Sequence, residues 1–137
     1  MRGWILASIL TLNLAPLAPA YEASRESGTV ERIVTNADED LRIRIALVRG
    51  DRQQTRVWVN LRNAADYEFH EIDLACTAYD AQANAVDRRR ATVTRERYGR
   101  LLPGFAVELP LAFSAPLKQV RSVSCEARAQ GIPQRAG

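Results

Sequence analysis

The residues able to do chemistry in this chain are few and unevenly placed. His70 is its one histidine, set in a polar stretch beside Glu68 and Glu71. A nucleophilic serine, cysteine or threonine needs a base within hydrogen-bond reach and a third group to orient that base. A single loop histidine without such partners reads as a surface residue. Asp66, Glu68, Glu71 and Asp73 cluster in sequence. Two of them flanking a pocket would suit glycoside cleavage, so a small carboxylate-dependent hydrolase acting on an envelope glycan is the second reading of this chain. No phosphate-binding glycine loop, EF-hand spacing or zinc pattern occurs. The sequence points to no catalytic, cofactor-binding or metal-binding residue, and the expectation is a protein that is not an enzyme.

Arginine is the other notable residue type, since Lys118 is the one lysine. The stretch Asp87 to Arg100 holds Arg88, Arg89, Arg90, Arg95, Arg97 and Arg100 against Asp87 and Glu96, with Tyr98 nearby. A guanidinium matches carboxylate and phosphate in a bidentate fork. Arg88, Arg90, Arg95, Arg97, Tyr98 and Arg100 are therefore candidate partner-binding residues for a lipid headgroup, a sugar phosphate or an acidic protein face. The competing reading is solvated surface, or arginines paired with acids such as Glu68 and Glu71. Trp58 is a further candidate anchor, because exposed aromatics are enriched at binding hot spots. Its alternative is cover from a neighbouring loop or sheet rim.

These side chains must be carried by strands. Leu41 to Val48 alternates, with Leu41, Ile43, Ile45 and Leu47 on one face and Arg42 and Arg44 on the other. Gly50 to Gln54 turns the chain. Val57, Val59 and Leu61 then face inward, with Arg56, Trp58 and Asn60 outward. Ile72, Leu74, Cys76 and Ala78 define the next core face, and Asp80 to Asn84 another turn. Ala85 to Thr94 reads as a strand in which Arg89, Ala91 and Val93 share the core side. Arg88, Arg90, Thr92 and Thr94 form an outward stripe extended by Arg95, Arg97 and Arg100 from a following loop. Phe105 to Phe113 contains Pro110, which cannot donate to a ladder and so belongs at an edge or bulge. Val120 to Ala129 is the last strand, with Val123, Cys125 and Ala127 on one face.

The first twenty residues differ in kind. Arg2, an apolar run from Trp4 to Leu14, and Ala18-Pro19-Ala20 have the pattern of a secretory signal peptide cleaved after Ala20. The run is too short and broken for a spanning helix. The expected organisation is signal peptide 1–20, flexible lead-in 21–40 with a short edge strand near Thr29 to Val34, sandwich 41–130 and frayed tail 131–137. Such a chain would be periplasmic or secreted, with no transmembrane span in its mature form. Two cysteines in an oxidising compartment read as a disulfide, Cys76 to Cys125. Both fall on the core side of their strands by separate parity counts, whereas a metal site would need more ligands and a reactive pair a closer spacing. Removing Arg2 leaves 18 basic and 16 acidic side chains, a net charge of +2, so a nucleic-acid partner is not expected. Short strands divided by turns, with no long helical period, give an all-β fold: an antiparallel two-sheet sandwich. No cofactor is expected, and the expected partner is an envelope protein or an anionic envelope ligand.

Three short stretches also carry a family resemblance. Val57-Trp58-Val59-Asn60-Leu61-Arg62-Asn63, Ala78-Tyr79-Asp80-Ala81-Gln82-Ala83 and Leu102-Pro103-Gly104-Phe105 resemble the FxLYD-type immunoglobulin-like domains of exported bacterial proteins. Those domains share a strand ending in Asn, a Tyr-Asp before a turn and a Pro-Gly before a late strand. Cys76 and Ala78 stand where that family prefers Phe and Leu, and Asn84 falls near its turn glycine. The resemblance implies an immunoglobulin-like accessory sandwich over about Leu41 to Ala129 and carries over no catalytic residue.

Overall fold

The computed structural model describes residues 30–35 and 39–131. The signal-peptide pattern, most of the expected lead-in and tail, and part of the turn after Thr35 lie outside the described residues. Two sheets pack face to face. The order of the four-stranded sheet is β1-β7-β4-β5 and that of the three-stranded sheet β2-β3-β6. The strands are β1 (Glu31–Thr35), β2 (Leu41–Gly50), β3 (Thr55–Asn63), β4 (Phe69–Tyr79), β5 (Ala85–Thr94), β6 (Ala106–Phe113) and β7 (Ser122–Gly131). One helical turn, α1 (Arg95–Tyr98), follows β5. All pairings are antiparallel except that of β1, which runs parallel to β7 along its outer edge.

Side-chain alternation builds the core. Val57, Val59 and Leu61 of β3 are fully buried, with Leu109, Leu111 and Phe113 of β6 beside them. Ile72, Leu74, Cys76 and Ala78 of β4 and Val123, Cys125 and Ala127 of β7 supply the facing layer. Each sheet removes the other's apolar face from water, a gain of about 25 cal/mol per Å². Cys76 and Cys125 stand directly opposite in the β4–β7 register and are bonded, with Cα atoms 4.1 Å apart. The bridge therefore ties neighbouring strands of one sheet. Pro110 lies on β6, an edge strand, where its missing N–H interrupts no ladder.

One residue of β2 departs from simple alternation. A bulge between Ile45 and Leu47 turns Leu47 to the outer face, opposite Trp58, and brings Val48 to the core with no exposure. The inward position expected for Leu47 is thus taken by Val48, because one extra residue reverses every later side chain. The bulge has a further role. Arg32, on the inward side of β1, reaches across to the carbonyls of Ile45 (3.4 Å) and Ala46 (3.3 Å).

Candidate functional site

The turns absorb much of the acid. Asp51 accepts from the backbone N–H groups of Gln53 (2.8 Å) and Gln54 (3.0 Å), and Asp80 from those of Gln82 and Asn84, both at 2.9 Å. These are the Asx-type bonds that make aspartate a turn residue. Asp40 accepts from the Tyr67 hydroxyl at 2.7 Å. Asp87 accepts from the Ser114 amide at 2.7 Å and Arg89 Nε at 3.0 Å, while Arg89 Nη2 donates to Ser114 Oγ at 2.8 Å. This trio joins β5 to the end of β6. Arg89 sits at the core rim with its head in water, the position its parity predicts.

Glu68 accepts both forks of Arg100, Nη2 at 2.6 Å and Nε at 3.1 Å. Arg100 is accordingly engaged within the chain. The hydrogen bond from Arg100 holds the Glu68 carboxyl below its usual range, and the amides of Gln54 and Gln53 do the same for Asp51. Burial works to raise Asp87 but is outweighed by the Ser114 and Arg88 amides and the Arg89 charge, so its carboxyl is lowered too. A carboxyl lowered in the folded state adds stability that is complete above its unfolded value, near 3.8 for aspartate and 4.5 for glutamate. That contribution is lost as the pH falls through the lowered native values. Urea midpoints are expected to hold steady on this account from about pH 7 to about pH 5 and to fall below about pH 4. The fall should be shallower in Asp87→Asn.

The stripe on β5 is arranged as its alternation predicts. Arg88, Arg90 and Thr92 point outward and Val93 is buried. Their neighbours make a groove across the four-stranded sheet of about 400 Å³. Ala75 keeps its floor low; Arg88, Arg90, Asp73, Glu126 and Arg128 stand around it. Arg88 Nη2 approaches Glu126 Oε1 at 3.7 Å, both exposed, and Thr92 Oγ1 donates to Asp73 Oδ1 at 3.1 Å. Arg90 and Arg128 have no ion pair or hydrogen-bonded side-chain partner among the described residues. Arg128 joins the group from β7, opposite Asp73 in register. No stretch of local sequence marks it; its signal is the outward parity of Ser124, Glu126 and Arg128 set against the buried Val123, Cys125 and Ala127.

The other expected site residues lie elsewhere. Arg95 and Arg97 are exposed on α1, a helical turn where an open loop was expected. Tyr98 is partly buried against the core, so it supports the fold instead of extending the stripe. Trp58 is half-buried on the outer face of the opposite sheet, between Leu47 and Pro110 in register. His70 is exposed, 4.0 Å from Glu71. No group of three metal-ligating side chains occurs among the described residues.

No family model matches the chain, and the search of curated proteins finds no match. Among solved structures, the chain is similar to a DUF1425 family member from Shewanella sp. pv-4, at 11% identity and TM-score 0.47, over 82% of this chain and 98% of that one. Campylobacter jejuni cj0090 aligns at 12% identity and TM-score 0.39, over 76% of this chain and 100% of that one. A beta-glucosidase from Kluyveromyces marxianus aligns at 9% identity and TM-score 0.39, over 66% of this chain and 15% of that one. Likenesses at this level transfer no activity. The two-sheet sandwich stands on the strands themselves, and the FxLYD family stays a resemblance.

Proposed function

We propose that this chain is an exported, non-catalytic binding or accessory module that docks on a carboxylate- or phosphate-bearing partner of the cell envelope. The observation that carries this reading is the pair of guanidinium groups, Arg90 and Arg128, that have no side-chain partner among the described residues and face a groove floored by Ala75. An unpaired arginine fork presents donors in the geometry a carboxylate or phosphate accepts. Export is supported by the N-terminal pattern and by the Cys76–Cys125 bond, since disulfides persist in oxidising compartments. No helix among the described residues is long and apolar enough to cross a membrane. Asp73 and Glu126 share the groove, but both are exposed. A general acid that keeps its proton near neutral pH needs an apolar surround, so the geometry favours binding over hydrolysis.

Capture from an envelope fraction by the tagged chain tests the proposal. Arg88→Glu with Arg90→Glu is expected to abolish capture while leaving the thermal midpoint nearly unchanged, because an exposed pair such as Arg88–Glu126 contributes about 0–1 kcal/mol. Capture should also weaken as salt rises. Undiminished capture by the double variant, at low and moderate salt alike, would reduce the groove to solvated surface.

A further inference from the structure

The outer face of the three-stranded sheet carries more uncompensated charge than the groove. Arg42, Arg44 and Arg49 of β2 and Arg56 and Arg62 of β3 are all exposed on it. Glu108 is the acid that β6 sets among them. The amide of Asn60, oriented with its oxygen toward Arg44, accepts from Arg44 Nη2 at 2.7 Å and donates to Glu108 Oε2 at 2.7 Å. Glu108 is thereby engaged at one end of the sheet. Arg42, Arg49 and Arg62 have no ion pair or hydrogen-bonded side-chain partner among the described residues.

The register makes this arrangement unfavourable in isolation. Arg42 stands directly opposite Arg62, and Arg49 directly opposite Arg56. Like charges in cross-strand pairs oppose folding, so the Arg42–Arg62 pair gains when an anion comes between its forks. At the other end Arg49 is open, while the Gln54 amide oxygen accepts from Arg56 Nε at 3.0 Å and Nη2 at 2.9 Å. The two pairs are six residues apart along β3, about 20 Å. Between them the β2 bulge places Leu47 beside Trp58, with Pro110 on the other side. The face is therefore two rows of paired arginines with an apolar, indole-bearing centre. At one end, Arg42, Arg44 and Arg62 rim a shallow depression of about 530 Å³.

We infer that this face docks on the headgroup surface of an anionic phospholipid bilayer. Its charge is spread over a plane and does not line a cleft, as suits a planar array of phosphates. Its centre is an amphipathic ring, which favours the headgroup level, flanked by aliphatic groups. A surface for single-stranded nucleic acid would interleave several stacking aromatics along a basic groove, and here Trp58 is the one aromatic on the face among the described residues. The inference does not rest on the groove between β5 and β7, which lies on the opposite sheet.

Co-sedimentation of the full chain with vesicles of phosphatidylcholine, alone or mixed with phosphatidylglycerol, tests it. Any contribution of the N-terminal apolar run is common to parent and variants. Partition onto the anionic vesicles is expected to exceed that onto neutral ones and to weaken with salt. Each arginine removed should lower it roughly fivefold, so Arg42→Ser with Arg62→Ser lowers it about thirtyfold. Lys118→Ser with Arg121→Ser, which removes the same net charge away from the face, should lower it much less. Arg62→Glu alone should weaken partition without lowering the thermal midpoint, since it replaces a repulsive pair with an attractive one. Trp58→Ala should weaken it as well. Equal partition onto both vesicle types would overturn the inference, as would undiminished partition of the Arg42→Ser, Arg62→Ser variant. Binding to a soluble polyanion such as heparin without binding to vesicles would also overturn it. Loss on Arg88→Glu with Arg90→Glu, but not on Arg42→Ser with Arg62→Ser, would overturn this face and leave the groove reading intact.

Discussion

Replacing Asn63 with alanine is expected to lower the unfolding free energy by about 3 kcal/mol, from about 1–3 kcal/mol for each buried polar group left unpaired. Asn63 is 1% exposed at the end of β3, and all of its side-chain polar atoms are engaged. Nδ2 donates to the carbonyls of Tyr67 (2.9 Å) and Leu101 (3.0 Å), and Oδ1 accepts from the Ala65 amide (2.8 Å). Its own amide donates to the Phe105 carbonyl and its carbonyl accepts from Gly104. One residue thus fixes both the loop from β3 to β4 and the loop that enters β6. The Leu101 carbonyl keeps a second donor, the Phe69 amide at 3.0 Å, so the loss falls chiefly on Tyr67 and Ala65. A loss of this size is a large share of the roughly 5–15 kcal/mol that holds a domain together. Asn63→Asp should also destabilise, because a carboxylate has no N–H to offer two carbonyls. Urea unfolding of both variants measures this; a midpoint within error of the parent would mean the loops hold without Asn63.

Removing the Cys76–Cys125 bond by Cys76→Ala with Cys125→Ala is expected to remove about 4 kcal/mol, by the loop-entropy relation applied to cysteines 49 residues apart. Both cysteines are fully buried, so lost sulfur packing adds to the effect. The entropic account makes a second demand. The unfolded chain without the bond is more expanded, so the denaturant dependence of unfolding should steepen as the midpoint falls. A lower midpoint with an unchanged slope would assign the effect to packing inside the sheet. An unchanged midpoint would mean the bond constrains little that the β4–β7 ladder does not.

The alternation of apolar and polar residues was sufficient to place the main strands and to turn both cysteines inward, because burying one face imposes a two-residue period on the chain. Positions governed by partners distant in sequence were not legible. A bulge at Ala46 is no feature of Leu41 to Val48 taken alone, yet it exchanges Leu47 for Val48 in the core. Arg100 reads as part of a basic run until the fold brings Glu68 to it. Arg42, Arg44 and Arg56 are each legible as outward residues. Their convergence with Arg49 and Arg62 on one face depends on which strands become neighbours and on a register set across the hairpin. The groove follows the same rule: Arg88 and Arg90 were visible on their own strand, while Arg128 arrives from β7.

The parallel seat of β1 against β7 constrains the order of assembly. β1 comes early in the chain and its partner last, so Glu31 pairs with Ser122 across nearly the whole described length. β4 also waits for β7, since the register joins Cys76 to Cys125 across a sequence separation of 49. Pairings so remote in sequence make for slow folding, and a chain made from its N-terminus onward presents β7 last. The β2–β3 and β4–β5 hairpins can close as they emerge, but the strand that seats both β1 and β4 cannot. A truncation that removes β7 should therefore cost the whole four-stranded sheet its centre, whereas loss of β1 strips only an edge.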